Sequence, residues 1–290
     1  ALVGESILCT LPETAEKISV GKRCGRHSVP QEETNQLLLD CALAGKKTVR
    51  LKGGDPFLFG RGGEELELIA QNGIPFEVVP GITSASAVPA YAGIPLTHRE
   101  YASSFHVVTG HFKAGREDCT DYGALVRMNA TLVFLMGVNR LELIMEQLMA
   151  AGMDKEMPAA VIESGTRYNQ RKVISRVKCL GEDAKKAGIS APAVIVVGRV
   201  CALADEFSWY EKKPLSGRRI IVTHSRPEEL AALLRRDGAE VLELPAIRRG
   251  ILKEQDMFTK FEEETAEKIW LTFMSPAAVE SFFTAAGTCT

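Results

Sequence analysis

The sequence predicts an α/β fold with a mixed second half, followed by a separate βα unit. Between residues 46 and 96, apolar runs alternate with helical segments at the spacing that is typical of βα units. A polar stretch at residues 208–217, SWYEKKPLSG, contains Pro214 and Gly217 and is the predicted linker. A new strand–helix–strand pattern follows it, which indicates a new domain. The 290 residues, 46% of them hydrophobic, suffice for two or three domains.

The individual elements follow from the period of their apolar residues and from the residues that end them. Strands are predicted at KKTVRLK and FEVVP, with a helix between them at GRGGEELELIAQNG that Gly73 closes. SASAVPAYAG is predicted as a small-residue helix or turn. Further strands are predicted at SFHVVTGH, ATLVFLMG, PAAVIESGT, QRKVISRV and APAVIVVGRV, with a helix at RLELIMEQLMAAG. After the linker we expect the strand RRIIVTH, the helix PEELAALLRRDG and the strand AEVLELPAI.

Composition and charge argue against several classes of protein. Lys and Arg number 35 against 37 Asp and Glu, so no excess of positive charge exists for generic nucleic-acid binding. The seven cysteines are scattered without a CxxC pair or a metal-ligand spacing, which favours reduced thiols in a cytosolic compartment. The sequence shows no signal-peptide layout and no apolar run near the roughly 18 residues that a membrane span needs. We therefore expect a cytoplasmic protein that binds neither nucleic acid nor a membrane.

The stretch VRLKGGDPFLFGRGGEE places bare backbone and charge after a predicted strand. It lacks the G-x-x-x-x-G-K-S/T spacing of a phosphate loop and the G-x-G-x-x-G spacing of a dinucleotide site. Gly53, Gly54 and Asp55 fit either a tight turn or a ligand-binding loop. Thr83 and Ser84 likewise fit a helix cap or a site, and Met136 alone is typical of core packing. The binding interpretation gains weight because such loops follow apolar strands and meet at one sheet edge.

A basic cluster lies in ISVGKRCGRHSVPQ, which contains no acidic residue. Lys22, Arg23, Arg26 and His27 form either a solvated face or a site for a polyanion. In IPLTHRE, His98 and Arg99 offer a second cationic pair, and Arg suits bidentate contact with carboxylates.

Four motifs together resemble the uroporphyrinogen-III C-methyltransferase family of tetrapyrrole methylases: VGKRCGRHSVPQEETN, VRLKGGDPFLFGRGGEE, VVPGITSASAVPAYAGIPLTHR and VTGH. The resemblance covers roughly residues 1–210. It implies two α/β subdomains with the cofactor cleft between them, at residues 1–108 and 109–207. It also implies methyl transfer from S-adenosylmethionine, without a metal, to C2 and C7 of uroporphyrinogen III, giving precorrin-2. Family members usually form homodimers, so a homodimer is expected.

The resemblance also assigns site residues. Those expected around the cofactor are Gly53, Gly54, Asp55, Leu58, Thr83, Ser84, Met136 and Gly165. The substrate carries eight carboxylates, and the residues expected to bind them are Arg23, Arg26, His27 and Arg99. Lys22 stands where the family places a proton donor; the alternative is a surface lysine paired with Glu32 or Glu33.

One departure from the family pattern modifies this expectation. ALVGESIL resembles the residues that follow the first βα unit of the family, its GxGPGD loop and an aspartate thought to accept a proton. The resemblance thus implies that this unit is absent, and we expect the 290-residue chain to be weak or inactive.

Residues 214–290 resemble the beginning of uroporphyrinogen-III synthase through LSGRRIIVTHSRPEELAALLRRDGAEVLELPAIR and WLTFMSPAAVESFF, and the predicted domain spans residues 218–290. This implies a partial α/β synthase lobe, fused to the methylase through the linker at residues 208–217. The alternatives are a methylase for another tetrapyrrole or corrin substrate, and a remnant that binds a tetrapyrrole without turnover.

Overall fold

The computed structural model describes residues 3–8, 10–12, 14–21, 29–110, 119–223, 228–244 and 272–285. Within them the helices are α1 (Glu5–Leu8), α2 (Gln31–Leu43), α3 (Gly62–Gln71), α4 (Ser84–Tyr91), α5 (Tyr122–Arg127), α6 (Leu141–Ala150), α7 (Leu180–Lys186), α8 (Glu228–Arg236) and α9 (Pro276–Ala285). The strands are β1 (Phe105–Thr109), β2 (Thr131–Leu135), β3 (Pro158–Glu163), β4 (Arg171–Arg176), β5 (Ala193–Val197), β6 (Arg219–Val222) and β7 (Glu240–Glu243). Short 3-10 helices span Val138–Arg140 and Arg199–Leu203. None of these helices has the length and apolar character needed to cross a membrane.

Five strands form the central sheet, in the order β1–β2–β5–β3–β4. β1 and β2 are parallel, whereas β5 is antiparallel to both of its neighbours, β2 and β3. Because two antiparallel steps restore the original direction, β1, β2 and β3 run the same way. The residues that follow these three strands therefore lie at one edge of the sheet.

Both faces of the sheet are covered, as the alternation along β2 shows. Val133 and Leu135 pack in a cluster that contains Val88 and Ala92, at α4. Leu132 and Phe134 pack on the other face, against residues of α6 and α7. Burial on both faces explains the continuous apolar sequence of β2. Packing on the first face also fixes the position of α4.

The first half of the chain differs from the sequence prediction. Before β1, α2 packs against α3, and none of the described residues up to 104 belongs to a strand. The strands predicted at residues 46–52 and 76–80 are therefore wrong. Val49 and Val79, within these two segments, are 76% and 75% exposed. An alternating pattern becomes a strand only where a neighbouring segment supplies ladder hydrogen bonds, and no described segment does so here.

The predicted strand–helix–strand pattern after the linker is confirmed. β6 and β7 pair in parallel, and α8 packs on them around Val222, Ala231 and Val241. We call β6, α8 and β7 the C-terminal unit. The predicted limits at residues 108, 207 and 217 stay predictions, and β1 lies across the first of them.

Candidate functional site

Left-handed backbone at non-glycine residues is concentrated in three loops that the sequence singled out. These are the glycine-rich loop (residues 53–63), the turn after β2 and the β3–β4 loop (residues 164–170). The φ angles are 53° at Phe59, 56° at Arg61, 58° at Met136, 49° at Ser164 and 70° at Thr166. Within the described residues, the sixth non-glycine residue with a positive φ is Asn129, and asparagine tolerates this conformation. Such backbone costs about 1–3 kcal/mol per residue and clusters at ligand sites, where the surroundings enforce it.

Asp55 holds the glycine-rich loop against the segment that precedes α4. Its Oδ1 accepts hydrogen bonds from the backbone amides of Phe57 and Leu58, at 2.9 and 3.1 Å. Its Oδ2 accepts one from the amide of Gly81 at 3.1 Å. These bonds, that of Gly81 foremost, hold the pKa of the Asp55 carboxyl below its usual value. The tight-turn interpretation of Asp55 is thus realised, and the same carboxylate joins two loops.

Two glycines make this junction possible. Gly54 has a φ of 81°, which favours glycine, and its carbonyl oxygen would lie 2.2 Å from a Cβ on Gly81. No larger residue fits at Gly81 unless the backbone moves. Gly81 was not among the predicted site residues, although it lies in the motif VVPGITS beside Thr83 and Ser84.

The start of α4 lies next to this junction. Thr83 is the N-cap residue, and its Oγ1 accepts a hydrogen bond from the amide of Ala85 at 3.2 Å. Ser84 is the first residue of the helix. The helix-cap interpretation of Thr83 is therefore confirmed. Thr83 and Ser84 follow Gly81 by only two and three residues, so both lie close to the junction with Asp55.

The β3–β4 loop reaches α4 through Gly165. A Cβ on Gly165 would lie 2.4 Å from Cγ1 of Val88, so α4 and this loop are in direct contact. The amide of Ser164 donates to the carbonyl of Pro192 at 2.9 Å, which fixes the start of the loop. Gly165 thus links the carboxyl edge of the sheet to the helix that carries Thr83 and Ser84.

Met136 stands at the same edge of the sheet. Leu135 pairs with Val194, and Glu163 pairs with Ala193, so β2 and β3 flank the start of β5. Two strand spacings separate Met136 from Ser164 by about 10 Å. The Met136 side chain is 52% exposed, which differs from the core packing that methionine at a strand end usually shows.

The predicted substrate residues are only partly described. Arg99 is exposed, in a turn after α4 that a bridge between His98 and Ala102 closes. The ring of His98 lies 4.8 Å from that of Tyr101. Lys22, Arg23, Arg26 and His27 lie outside the described residues, so the proton-donor role of Lys22 stays a prediction.

A buried charge cluster that the sequence analysis missed supports the glycine-rich loop. Glu65 of α3 is 4% exposed and accepts hydrogen bonds from Arg50 Nε at 3.1 Å and Gln31 Nε2 at 3.2 Å. Lys52, which directly precedes Gly53, pairs with the other oxygen. Burial raises the pKa of the Glu65 carboxyl, but the bond from Lys52 and the charge of Arg50 outweigh it, and the pKa is lowered.

The spacing of Arg50 and Lys52 in the sequence could have predicted this charge cluster. Residues two positions apart in an extended segment share a side, and an acidic helix start follows them. Within the described part of the chain, no group of three His, Cys, Asp or Glu side chains suits a metal ion.

Comparison with known sequences finds a matching family model and relatives whose names refer to porphyrin or siroheme biosynthesis. A family model described as Tetrapyrrole (Corrin/Porphyrin) Methylases matches residues 3–180. The porphyrin biosynthesis protein HemD of Ruminiclostridium josui is 48% identical over 286 residues, 97% of this chain and 56% of that protein. Siroheme synthase of Salmonella arizonae is 52% identical over 209 residues, 72% of this chain and 45% of that protein. The chain spans about half the length of these curated relatives.

Two solved structures resemble the described fold. One is uroporphyrin-III C-methyltransferase from Thermus thermophilus complexed with S-adenosylhomocysteine, at 39% identity and a TM-score of 0.55. The match covers 65% of this chain and 79% of that one. The other is the cobalt precorrin-4 methyltransferase CbiF, at 25% identity and a TM-score of 0.61, covering 69% of this chain and 82% of that one.

Proposed function

From the premise that this chain belongs to the tetrapyrrole (corrin/porphyrin) methylase family, we propose that it binds S-adenosylmethionine at the loops described above. The reaction is methyl transfer to a tetrapyrrole. The substrate is uroporphyrinogen III, methylated at C2 and C7 to give precorrin-2. The 39% identity to a uroporphyrin-III C-methyltransferase complexed with S-adenosylhomocysteine supports both cofactor and substrate class.

The observation that carries the proposal is the convergence of separate loops on α4. Asp55 ties the glycine-rich loop to Gly81, Thr83 caps α4, and Gly165 touches Val88 one turn further along the helix. A site assembled from bare backbone suits an adenosyl group with no phosphates. The residues that hold it are Gly53, Gly54, Asp55, Leu58, Thr83, Ser84, Met136 and Gly165.

The contribution of Asp55 in this site is indirect. Both of its carboxylate oxygens already accept backbone hydrogen bonds from Phe57, Leu58 and Gly81. It therefore shapes the pocket by holding two loops together, and the loop amides and carbonyls face the ligand.

Two of these loops carry exposed apolar side chains. Phe57, Leu58, Phe59 and Met136 are 58%, 36%, 42% and 52% exposed. Apolar groups that stay exposed in clusters mark contact surfaces for ligands. They offer flat apolar contact to an adenine or a pyrrole ring.

The chemistry asks for positioning more than for acid or base strength. S-adenosylmethionine supplies an activated sulfonium methyl group. The chain's residues hold the two reactants in line and shield them from water. Arg99, exposed after α4, is available for a substrate carboxylate, together with Arg23, Arg26 and His27. Lys22 is the proposed proton donor on the macrocycle.

The residues after the linker belong, in this proposal, to a uroporphyrinogen-III synthase lobe fused to the methylase. The relative named HemD supports the fusion, because its match spans 97% of this chain and includes both regions. The β6–α8–β7 arrangement is the strand–helix–strand unit with which an α/β lobe starts.

A second candidate is methylation of a later corrin intermediate. The resemblance to cobalt precorrin-4 methyltransferase, with a TM-score of 0.61, favours it. The higher identity to the uroporphyrin-III enzyme, 39% against 25%, favours the first candidate.

Isothermal titration calorimetry with S-adenosylhomocysteine tests the proposal. We expect saturable binding of one ligand per chain. Incubation of the chain at stoichiometric concentration with methyl-labelled S-adenosylmethionine and either uroporphyrinogen III or a later corrin then separates the two substrates by which one gains label, slowly because the chain is expected to be weakly active. Absence of binding at millimolar ligand would overturn the proposed site, and label in the corrin alone would overturn the proposed substrate.

A further inference from the structure

The β3–β4 loop, which carries Gly165, is held from outside the methylase sheet by the C-terminal unit. The amide of Tyr168 donates a hydrogen bond to Oε2 of Glu240 on β7, at 3.3 Å. The guanidinium of Arg219 on β6 lies over the Tyr168 ring, 5.5 Å from its centroid. Arg219 and Glu240 also pair with each other at 3.1 Å. One ion pair therefore contacts both the backbone and the ring of Tyr168.

The linker contacts the same loop at its other end. Gln170 Nε2 donates to Glu211 Oε1 of the linker at 3.3 Å and to the carbonyl of Tyr91 at 3.4 Å. Glu211 also pairs with Lys172 of β4 at 2.6 Å. The linker is thus fixed to the C-terminal end of α4 and to the sheet together with the loop.

The contacts of Tyr168 and Gln170 support the residues of the β3–β4 loop that have left-handed backbone. Oε1 of Gln170 accepts the amide of Thr166 at 2.8 Å, and Thr166 has a φ of 70°. Gly165 lies between Thr166 and Ser164, whose φ is 49°. Left-handed backbone at such residues persists only where the surroundings enforce it. Contacts that hold Tyr168 and Gln170 therefore help to hold Gly165 against Val88.

The contact of Arg219 and Glu240 with Tyr168 is partly shielded from solvent. The side chains of Arg219 and Glu240 are 37% and 23% exposed, and the ring of Tyr168 is partly buried. Partial burial strengthens a charged hydrogen bond and a cation–ring contact relative to the same groups in open water.

We propose that Arg219 and Glu240 are positioning residues for the cofactor site: the C-terminal unit holds the β3–β4 loop in the conformation that binds the S-adenosyl group. The cofactor affinity of the methylase part then depends on a unit that does not touch the cofactor. This inference rests on the proposed function, because it takes Gly165 as a cofactor contact.

Calorimetry with S-adenosylhomocysteine on the full 290-residue chain tests the inference. Glu240→Ala removes the acceptor of the Tyr168 amide, and we expect the Kd to rise about fivefold or more. Glu240→Gln keeps an acceptor oxygen and restores most of the affinity. Tyr168→Leu, changed on the loop side, weakens binding in the same direction, whereas Tyr168→Phe keeps the ring and does not.

Arg235→Ala is the matched control. Arg235 pairs with Glu243 at 2.5 Å within the C-terminal unit, and neither residue contacts the loop through these bonds. This variant perturbs the same unit and leaves the Kd unchanged. Hydrogen exchange provides a second readout without ligand: the Tyr168 amide exchanges faster in Glu240→Ala than in Arg235→Ala.

The outcomes separate the two proposals. An unaltered Kd in Glu240→Ala and Tyr168→Leu, with normal binding by the parent chain, overturns the positioning role alone. Equal weakening by Arg235→Ala also overturns it, since general destabilisation then explains the effect. Failure of the parent chain to bind S-adenosylhomocysteine overturns the proposed function itself.

Discussion

The carboxylate of Asp55 accepts a hydrogen bond from the backbone amide of Gly81, 3.1 Å away and 26 residues along the chain. The same side chain also accepts the amides of Phe57 and Leu58. One carboxylate therefore sets the conformation of the glycine-rich loop and its distance from the start of α4.

Replacement of Asp55 by Ala releases both loops, and we expect the affinity for S-adenosylhomocysteine to fall about tenfold, equivalent to about 1.4 kcal/mol. Calorimetry gives the Kd. Asp154→Ala is the control, because Asp154 accepts the amide of Glu156 at 2.9 Å in an exposed turn elsewhere. Similar Kd values for the two variants would contradict the role of Asp55.

The pH dependence of this junction has a definite sign. The pKa of Asp55 is lowered from its usual 3.8, so the folded state favours the ionised carboxylate. The contribution is fully present above pH 3.8 and is lost as the pH falls through the lower folded value. Ligand binding between pH 5 and pH 8, measured by calorimetry, is therefore expected to show no step from Asp55; a step in that range that Asp55→Asn removes would contradict the lowered pKa.

Gly165→Val is expected to abolish detectable binding of S-adenosylhomocysteine. The new Cβ would lie 2.4 Å from Cγ1 of Val88, so the β3–β4 loop has to move away from α4. The same overpacking lowers the free energy of unfolding by about 1–3 kcal/mol, measured by urea denaturation. Ala187→Val is the control, since Ala187 is exposed directly after α7 and lies outside the loops of the proposed site. Normal binding by Gly165→Val would show that the loop lies away from the cofactor.

Glu65→Gln tests the charge cluster that Glu65 forms with Arg50 and Lys52, next to the glycine-rich loop. Lys52 and Arg50 lose their anion in a site where Glu65 is 4% exposed. We expect the free energy of unfolding at pH 7 to fall by about 3 kcal/mol, the lower end of the range for a broken buried pair, since Arg50 is partly exposed. Urea denaturation measures it, and Glu67→Gln, exposed on the same helix, is the control.

Acid removes the difference between the Glu65→Gln variant and the parent chain. The pKa of Glu65 is lowered from 4.5, so its ionised form stabilises the fold above pH 4.5. This stabilisation is lost as the pH falls through the lower folded value. A difference in unfolding free energy that stays constant from pH 7 to pH 2 would show that the charge of Glu65 is not its source.

Cysteine labelling tests the packing against the central sheet. Cys201 is fully buried, and burial raises the pKa of its thiol well above its usual value. We expect iodoacetamide to modify the exposed Cys119 in the native chain and to reach Cys201 only in urea. Mass spectrometry of peptides gives the order, and equal labelling rates without urea would contradict this packing.

The predicted strands from residue 104 to residue 200 are all confirmed. β2, β3 and β5 contain apolar runs of four or more residues. β2 and β5 are buried on both faces, so their continuous apolar sequences leave no competing interpretation. The helices α2, α5 and α7 were not predicted. α5 and α7 have six and seven residues, too few to show a helical period, and three leucines of α2 are consecutive at residues 37–39.

The two strands predicted before residue 81 are wrong for a different reason. KKTVRLK and FEVVP have suitable residues, but a ladder requires a neighbour, and no described segment lies in register with either. The residue pattern shows that a segment favours the β conformation. It does not show whether a neighbouring strand lies beside that segment to form the hydrogen-bonded ladder.

The sequence by itself determined the family and the strands β1 to β5, because these depend on local residue types and spacing. Only the tertiary structure decided which residues contact one another. It paired Asp55 with Gly81 and Glu65 with Lys52, set Gly165 against Val88, and brought Glu240 to Tyr168. Each of these contacts joins segments whose separation along the chain carries no information about their distance in space.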